Sequence, residues 1–287
     1  MNSALSFSDH FELLADRYDV LLCDVWGVVH NSIVAFPQAA EALARFRQRG
    51  GAVVLITNAP RPGTIVGHYL DKLGLPRSSY DAIMASGDVT RGVIARRQGS
   101  VYHLGPERDL PIFQGLDLQF APPDRADFAV CTGLFNDDTE TPDDYRDLLA
   151  VMRARDMFML CANPDLVVER GEKLIYCAGA LADVYAALGG EVFYAGKPYA
   201  PIYEEALAIA QAVRGTEIRS ERVLAIGDSI RTDLKGARDF GLDCLFVTAG
   251  IHSEEFGGRD SPDLAALAEA FRNAGVMPTA ITRRLAW

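Results

Sequence analysis

The chain has 287 residues, 49% of them hydrophobic and 23% charged, which excludes a disordered protein and leaves room for one core plus a second unit or large insertion. A formal net charge of -11, from 39 acidic and 28 basic residues with no Lys/Arg run, argues against a nucleic-acid partner, although one cation and a few aimed donors can still draw an anion into a cleft. Five cysteines (Cys23, Cys131, Cys161, Cys177, Cys244) lie in apolar runs without zinc or disulfide spacing; together with no signal-type N-terminus and no bilayer-length apolar run, they predict free thiols, no membrane and a cytoplasmic protein.

In chain order, residues 8–17 read as a short helix with Phe11 and Leu14 on one face. DVLLCD, residues 19–24, is an apolar run ending in a carboxylate, as a buried strand does. Phe36-Pro37 opens a helix carrying Ala39, Leu43 and Phe46, closed by Gly50-Gly51, with proline inside its start and glycine past its end. A second apolar run, 53–56, stops at Thr57-Asn58. Strand, helix, strand with continuous apolar strands marks a parallel sheet covered on both faces.

The middle of the chain has its own alternation, with strands at 101–104, 128–131 and 158–161 and a helix from Pro142 carrying Tyr145, Leu148, Leu149 and Met152. The first grammar then returns: a helix at 201–213, an apolar run at 222–226 stopping at Gly227-Asp228, a helix at 232–240 and a strand at 243–247. Ser261-Pro262 caps a last helix, 264–271, and the tail after Gly275 carries no signal. The expected architecture is an α/β, Rossmann-like doubly wound parallel core formed by residues 1–88 and 188–287, with an inserted α/β cap domain at 89–187.

Four features end strands: Asp24, Thr57-Asn58, Lys197 in YAGKP, and Asp228 with Asp233 in GDSIRTD. Alone, each is as readily a turn former, a helix cap or a solvated loop residue. Together they fall where ligands bind in open parallel sheets, beyond the carboxyl ends of the strands. Their order and wording resemble the haloacid dehalogenase (HAD) superfamily, and within it class IIA, the NagD and 4-nitrophenylphosphatase-like hydrolases, from Tyr18 to about Phe256. GDSIRTD followed by KGARDFGL is the most specific part of the match.

The resemblance implies a magnesium-dependent hydrolase acting on a small phosphorylated metabolite, and allows a homodimer. It makes Asp24 the nucleophile that forms an aspartyl-phosphate, with Lys197 neutralising charge beside it. Mg2+ would be held by Asp24, the main-chain carbonyl of Trp26 and Asp228, with Asp233 and Ser229 behind them. Thr57, the amides near Asn58, and Gly27, whose missing side chain lets backbone approach, would hold phosphate oxygens. Asn163, Asp165 and Glu169 in the cap would meet the organic part of the substrate.

One position departs from the family pattern. Two residues after the nucleophile, family members that hydrolyse phosphate esters carry a second Asp as acid and base; here it is Trp26, whose indole has a single N–H donor and no acid-base chemistry near neutral pH. Three consequences stay open: a preference for good leaving groups, a substitute acid such as His30 or Asp165, or packing of Trp26 on an apolar substrate. His30 reads rather as a surface loop imidazole, and Asp165 is as readily a turn residue or helix cap. Two other functions also stay open, a phosphate-binding sensor without turnover and a dehalogenase-like carbon–halogen hydrolase; the intact metal signature speaks against the second.

Overall fold

The structure is a computed structural model that describes residues 7, 8, 10–170 and 173–287. The chain divides into two compact units, the first made of Met1–Thr57, Gly67–Met84 and Tyr203–Trp287, the second of Asn58–Val66 and Ala85–Ile202.

The first unit is organised by a sheet in the order β12-β11-β10-β1-β2-β3. Its strands are β1 (Val20–Asp24), β2 (Ala52–Thr57), β3 (Ala82–Ala85), β10 (Val223–Gly227), β11 (Asp243–Val247) and β12 (Ala280–Thr282). β1 pairs in parallel with β2 on one side and β10 on the other, and β11 and β12 extend the parallel run. Every residue of β1, β2 and β10 is buried, which is why these strands read as unbroken apolar runs rather than alternating ones. Leu21, Leu22, Leu55 and Ile56 are at most 2% exposed, and each such side chain contributes roughly 1.5–3 kcal/mol. From β1 the chain proceeds outward through β2 on one flank and returns through β10 on the other, so the strand order reverses between β1 and β10. Open parallel sheets place their ligand crevice at that kind of reversal.

The second unit has its own parallel sheet, β4 (Val101–Leu104), β5 (Phe128–Cys131), β6 (Phe158–Cys161) and β9 (Val192–Tyr194), in that spatial order. Leu104, Cys131, Cys161 and Tyr194 lie in one register row, so the carboxyl ends of all four strands are level. Leu149, Met152, Leu181 and Tyr185, from helices Arg146–Ala154 and Ala178–Ala187, form the core with the inward residues of these strands. An antiparallel hairpin of β7 (Val167–Arg170) and β8 (Lys173–Tyr176) completes the unit's strands among the described residues. Residues 188–202, which the sequence pattern joins to the core, supply β9 here because its backbone pairs with β6.

Several local expectations are corrected. The first helix covers only Glu12–Ala15, with Phe11 buried and Leu13 exposed. The last helix, Leu264–Asn273, is capped by Asp263, whose carboxylate accepts from the N–H groups of Ala265 and Ala266, rather than by Ser261-Pro262. The tail after Gly275 holds β12, which is short and adds to an existing edge, so its pairing was set by β11 and not by a pattern of its own. All five cysteines are buried free thiols. Among the described residues, no helix is long and apolar enough to cross a membrane.

Candidate active site

The first unit gathers its acids at the strand-order reversal. Asp24 is the last residue of β1, and Asp228 follows β10, its parallel neighbour. One turn on, within Ile230–Leu234, Asp233 comes back to the same point. One oxygen from each of Asp24, Asp228 and Asp233 lies within 4.8 Å of the others, and the three residues are only 7%, 5% and 3% exposed. Three buried carboxylates at that spacing repel and lose hydration, so they require compensating positive charge. An all-oxygen set of this kind suits a hard divalent cation such as Mg2+ or Ca2+ rather than zinc, which prefers nitrogen and sulfur.

Backbone N–H groups hold two of the acids. Asp228 Oδ2 accepts the Ile251 N–H at 2.8 Å, and Asp233 Oδ2 accepts the Ser229 N–H at 3.1 Å. Ser229 uses its hydroxyl elsewhere, accepting the Thr232 N–H at 3.3 Å as the cap of the turn that carries Asp233. Gly27 has φ of +82°, and a Cβ there would overlap the Asp228 carboxylate; a Cβ at Gly250 would do the same. The Ile251 and Gly250 contributions were missed by sequence reasoning. The available signal was the glycine in TAG at the end of β11, the strand beside the one that leads to Asp228.

After β1 the chain makes a tight turn, in which the Gly27 N–H donates to His30 O at 2.9 Å and Trp26 forms a bridge with His30. Trp26 is half-buried. His30 is not the surface imidazole that its loop position allowed: it is 5% exposed, packed edge-on to Tyr69, and its Nδ1 accepts the Ser32 N–H at 2.9 Å. Burial pushes its pKa down to about 4, so near neutral pH the ring is uncharged with its proton on Nε2. A neutral imidazole of that kind is a poor proton donor to a leaving group. Thr57 closes β2 one residue beyond the Asp24–Ile56 register pair and is 8% exposed.

The other predicted residues belong to the second unit, and Asn58, Asn163, Asp165 and Lys197 meet at the carboxyl ends of β6 and β9. Lys197 follows β9 and is 3% exposed, and its peptide bond to Pro198 is cis. Asn58, whose neighbouring amides were expected to hold phosphate, is 4% exposed, and its side chain is bonded to the main chain of Lys197 and to Asp165. Asn163, after β6, accepts the Asp165 N–H on Oδ1 at 3.0 Å in a local turn. Glu169 lies in β7, and its side chain is outside the described residues.

Two family models match the chain: haloacid dehalogenase-like hydrolase over residues 21–119, and a HAD hydrolase-like model over residues 194–274. The ribonucleotide monophosphatase NagD of Escherichia coli K12 is 30% identical over 241 residues, covering 81% of this chain and 88% of NagD. A haloacid dehalogenase-like hydrolase from Brucella suis 1330 superposes with a TM-score of 0.87 at 44% identity, covering 98% of this chain and 100% of that one. The p-nitrophenyl phosphatase of Archaeoglobus fulgidus shares the fold, with a TM-score of 0.69 at 20% identity over 93% of this chain and 97% of its own. With a full-length relative of this identity and an acid-lined strand reversal of this form, the chain belongs to the haloacid dehalogenase-like hydrolases, in their NagD-like class IIA branch.

Proposed function

We propose that the protein is a magnesium-dependent phosphatase of a small phosphorylated metabolite, with Asp24 as nucleophile and the second unit as its substrate-selecting cap. The observation that carries this reading is the convergence of Asp24, Asp228 and Asp233 at the reversal between β1 and β10. Relatives named for ribonucleotide, nitrophenyl and sugar phosphate hydrolysis support the reaction class.

Asp24, Asp228 and the Trp26 carbonyl would hold the ion, with Asp233 beside them. When bound, Mg2+ supplies positive charge that lets an anionic carboxylate approach an anionic phosphate. The Asp24 carboxylate then attacks phosphorus, the ester oxygen departs, and water later hydrolyses the aspartyl-phosphate, splitting the displacement in two. Thr57 donates its hydroxyl to a phosphate oxygen, and Gly27 leaves the turn open for backbone to approach. Lys197, buried at the end of β9, contributes a fixed cation to the transferring group. Residues 163–165 select the organic portion.

Trp26 stands where an acid usually protonates the leaving oxygen, and the lowered His30 pKa removes the nearest imidazole from that role. The enzyme is therefore expected to favour phosphates whose leaving groups need no proton, aryl and acyl phosphates over alkyl esters. The deciding experiment is Mg2+-dependent phosphate release across an aryl and alkyl panel, with mass spectrometry of a trapped covalent adduct on Asp24. Ligand-dependent thermal stabilisation without turnover on any member would replace the phosphatase with a phosphate-binding sensor.

A further inference from the structure

The side chain of Asn58 is fully engaged with one residue of the site and one residue of the cap strand end. Its Oδ1 accepts the Lys197 N–H at 2.7 Å, while its Nδ2 donates to Lys197 O at 3.0 Å and to Asp165 Oδ1 at 2.9 Å. A primary amide has two donor hydrogens and one carbonyl, and all are used here. Gripping the N–H and C=O of the same residue is the pairing that a neighbouring strand makes in an antiparallel ladder. It fixes the direction of the Lys197 Cα–Cβ bond, from which four methylenes carry the ammonium. The chain just before Lys197 is pressed on the same group: a Cβ on Gly196 would overlap Asn58 Oδ1 and come within 2.8 Å of Pro164 Cδ and 2.9 Å of Ser86 Oγ.

Asp165 adds a third bond that favours the orientation the Lys197 main chain already asks of the amide. Its carboxylate only accepts, so Nδ2 must point at it, and Oδ1 is left to meet the Lys197 N–H. Asp165 is in turn held by Asn163, whose Oδ1 takes its N–H. We propose that Asn58 is a positioning residue that fixes the root of Lys197 and makes the placement of that lysine depend on Asp165. The proposal rests on the phosphatase reading for the role of Lys197, but the hydrogen-bond relay itself does not.

Asn58→Asp keeps the size and one acceptor, removes both donors and sets a carboxylate against Asp165. The expected result on 4-nitrophenyl phosphate is a fall in kcat of about 10²-fold, with a smaller change in KM, as for other misplacements of a catalytic group. Adding Asp165→Asn restores a donor between the two positions at unchanged net charge, and should recover at least about tenfold of the loss. Acylation of the Lys197 amine, read by mass spectrometry, reports its placement without turnover: faster in Asn58→Asp, near wild type in the double variant. Wild-type protein that hydrolyses no phosphate while the acylation pattern holds defeats the phosphatase reading alone. If Asn58→Asp does not fold, Asp165→Asn carries the test, because it removes the acceptor that ties the amide to the cap and leaves only the two Lys197 bonds. Unchanged kcat and acylation in the folded single variant, or a double variant as impaired as Asn58→Asp, overturns the proposal.

Discussion

Each unit ends its parallel strands in a polar corner, and the two corners are built on opposite principles. In the first, Asp24, Asp228 and Asp233 bring like charges within 4.8 Å, with Asp228 and Asp233 held by backbone N–H groups. In the second, Asn58, Asp165 and the Lys197 main chain satisfy one another with an amide, an acceptor and a peptide group. The acid corner stores an electrostatic demand that a cation can answer, whereas the amide corner fixes geometry. Chemistry is therefore expected to be most sensitive in the first, and alignment in the second.

The largest effect should come from Asp24→Asn, which keeps the shape and removes the nucleophile. Mg2+-dependent phosphate release should fall by roughly 10⁴-fold or more, and comparable turnover in the variant would remove Asp24 from the reaction. Trp26→Asp adds an acid to the first corner and should raise alkyl ester hydrolysis by about 10²-fold or more while leaving aryl phosphates nearly unchanged. Equal gains on both substrate types would mean that proton supply is not what limits this enzyme.

Gly27→Ala attacks the same corner through the backbone. With φ at +82° and the Asp228 carboxylate in the way, the new methyl should cost about 1–3 kcal/mol of stability and weaken Mg2+ binding, measurable by thermal melts with and without the ion. Metal affinity equal to wild type would show that Asp228 tolerates the displacement.

A matched pair of histidines compares the two units by titration. Burial pushes both His30, in the first unit, and His103, in the second, down to about 4. An unfolded histidine titrates near 6.5, so below that pH the unfolded chain binds more protons, and stability present at pH 7 is lost as the pH falls towards 4. His30 should contribute roughly 2 kcal/mol of loss between pH 7 and pH 5, and the less buried His103 a smaller loss in the same direction. His30→Gln should flatten the urea-unfolding free energy across that range, and a slope identical to wild type would mean the ring is protonated freely in the fold. The smallest expected change is Ser229→Ala, which removes a cap worth about 1 kcal/mol and should lower Tm by a few degrees with kcat retained.

The sequence was most legible where burial on both faces wrote continuous apolar runs. β5 and β6 were read to the residue, and β1, β2 and β10 to within two, because strands without a solvent face have no competing pattern. Asp24 and Asp228 were legible because they stand at the ends of such runs, and Asp233 through the wording GDSIRTD. β9 and β12 were not, being three-residue edges whose pairing depends on a neighbour already in place. The Asn58 relay could not be read either: its partners lie 107 and 139 residues away, and no local spacing connects TNAP with NPD and GKP. His30 was misplaced for a related reason, since the turn that buries it is closed by the main-chain N–H groups of Gly27 and Ser32, which no residue type at those positions announces.

The pairing of β9 with β6 limits how this insert can be exchanged. A fragment cut at residue 187 would strip the ladder from one flank of β6 and leave its peptide groups bare, an open edge that invites other chains to add to it. A graft extended to carry β9 brings Lys197 along at the strand's end, and with it the need for Asn58 from a distant stretch of the recipient. If the proposed reading holds, swapping selectivity between relatives by transplanting this unit means moving Lys197 as well.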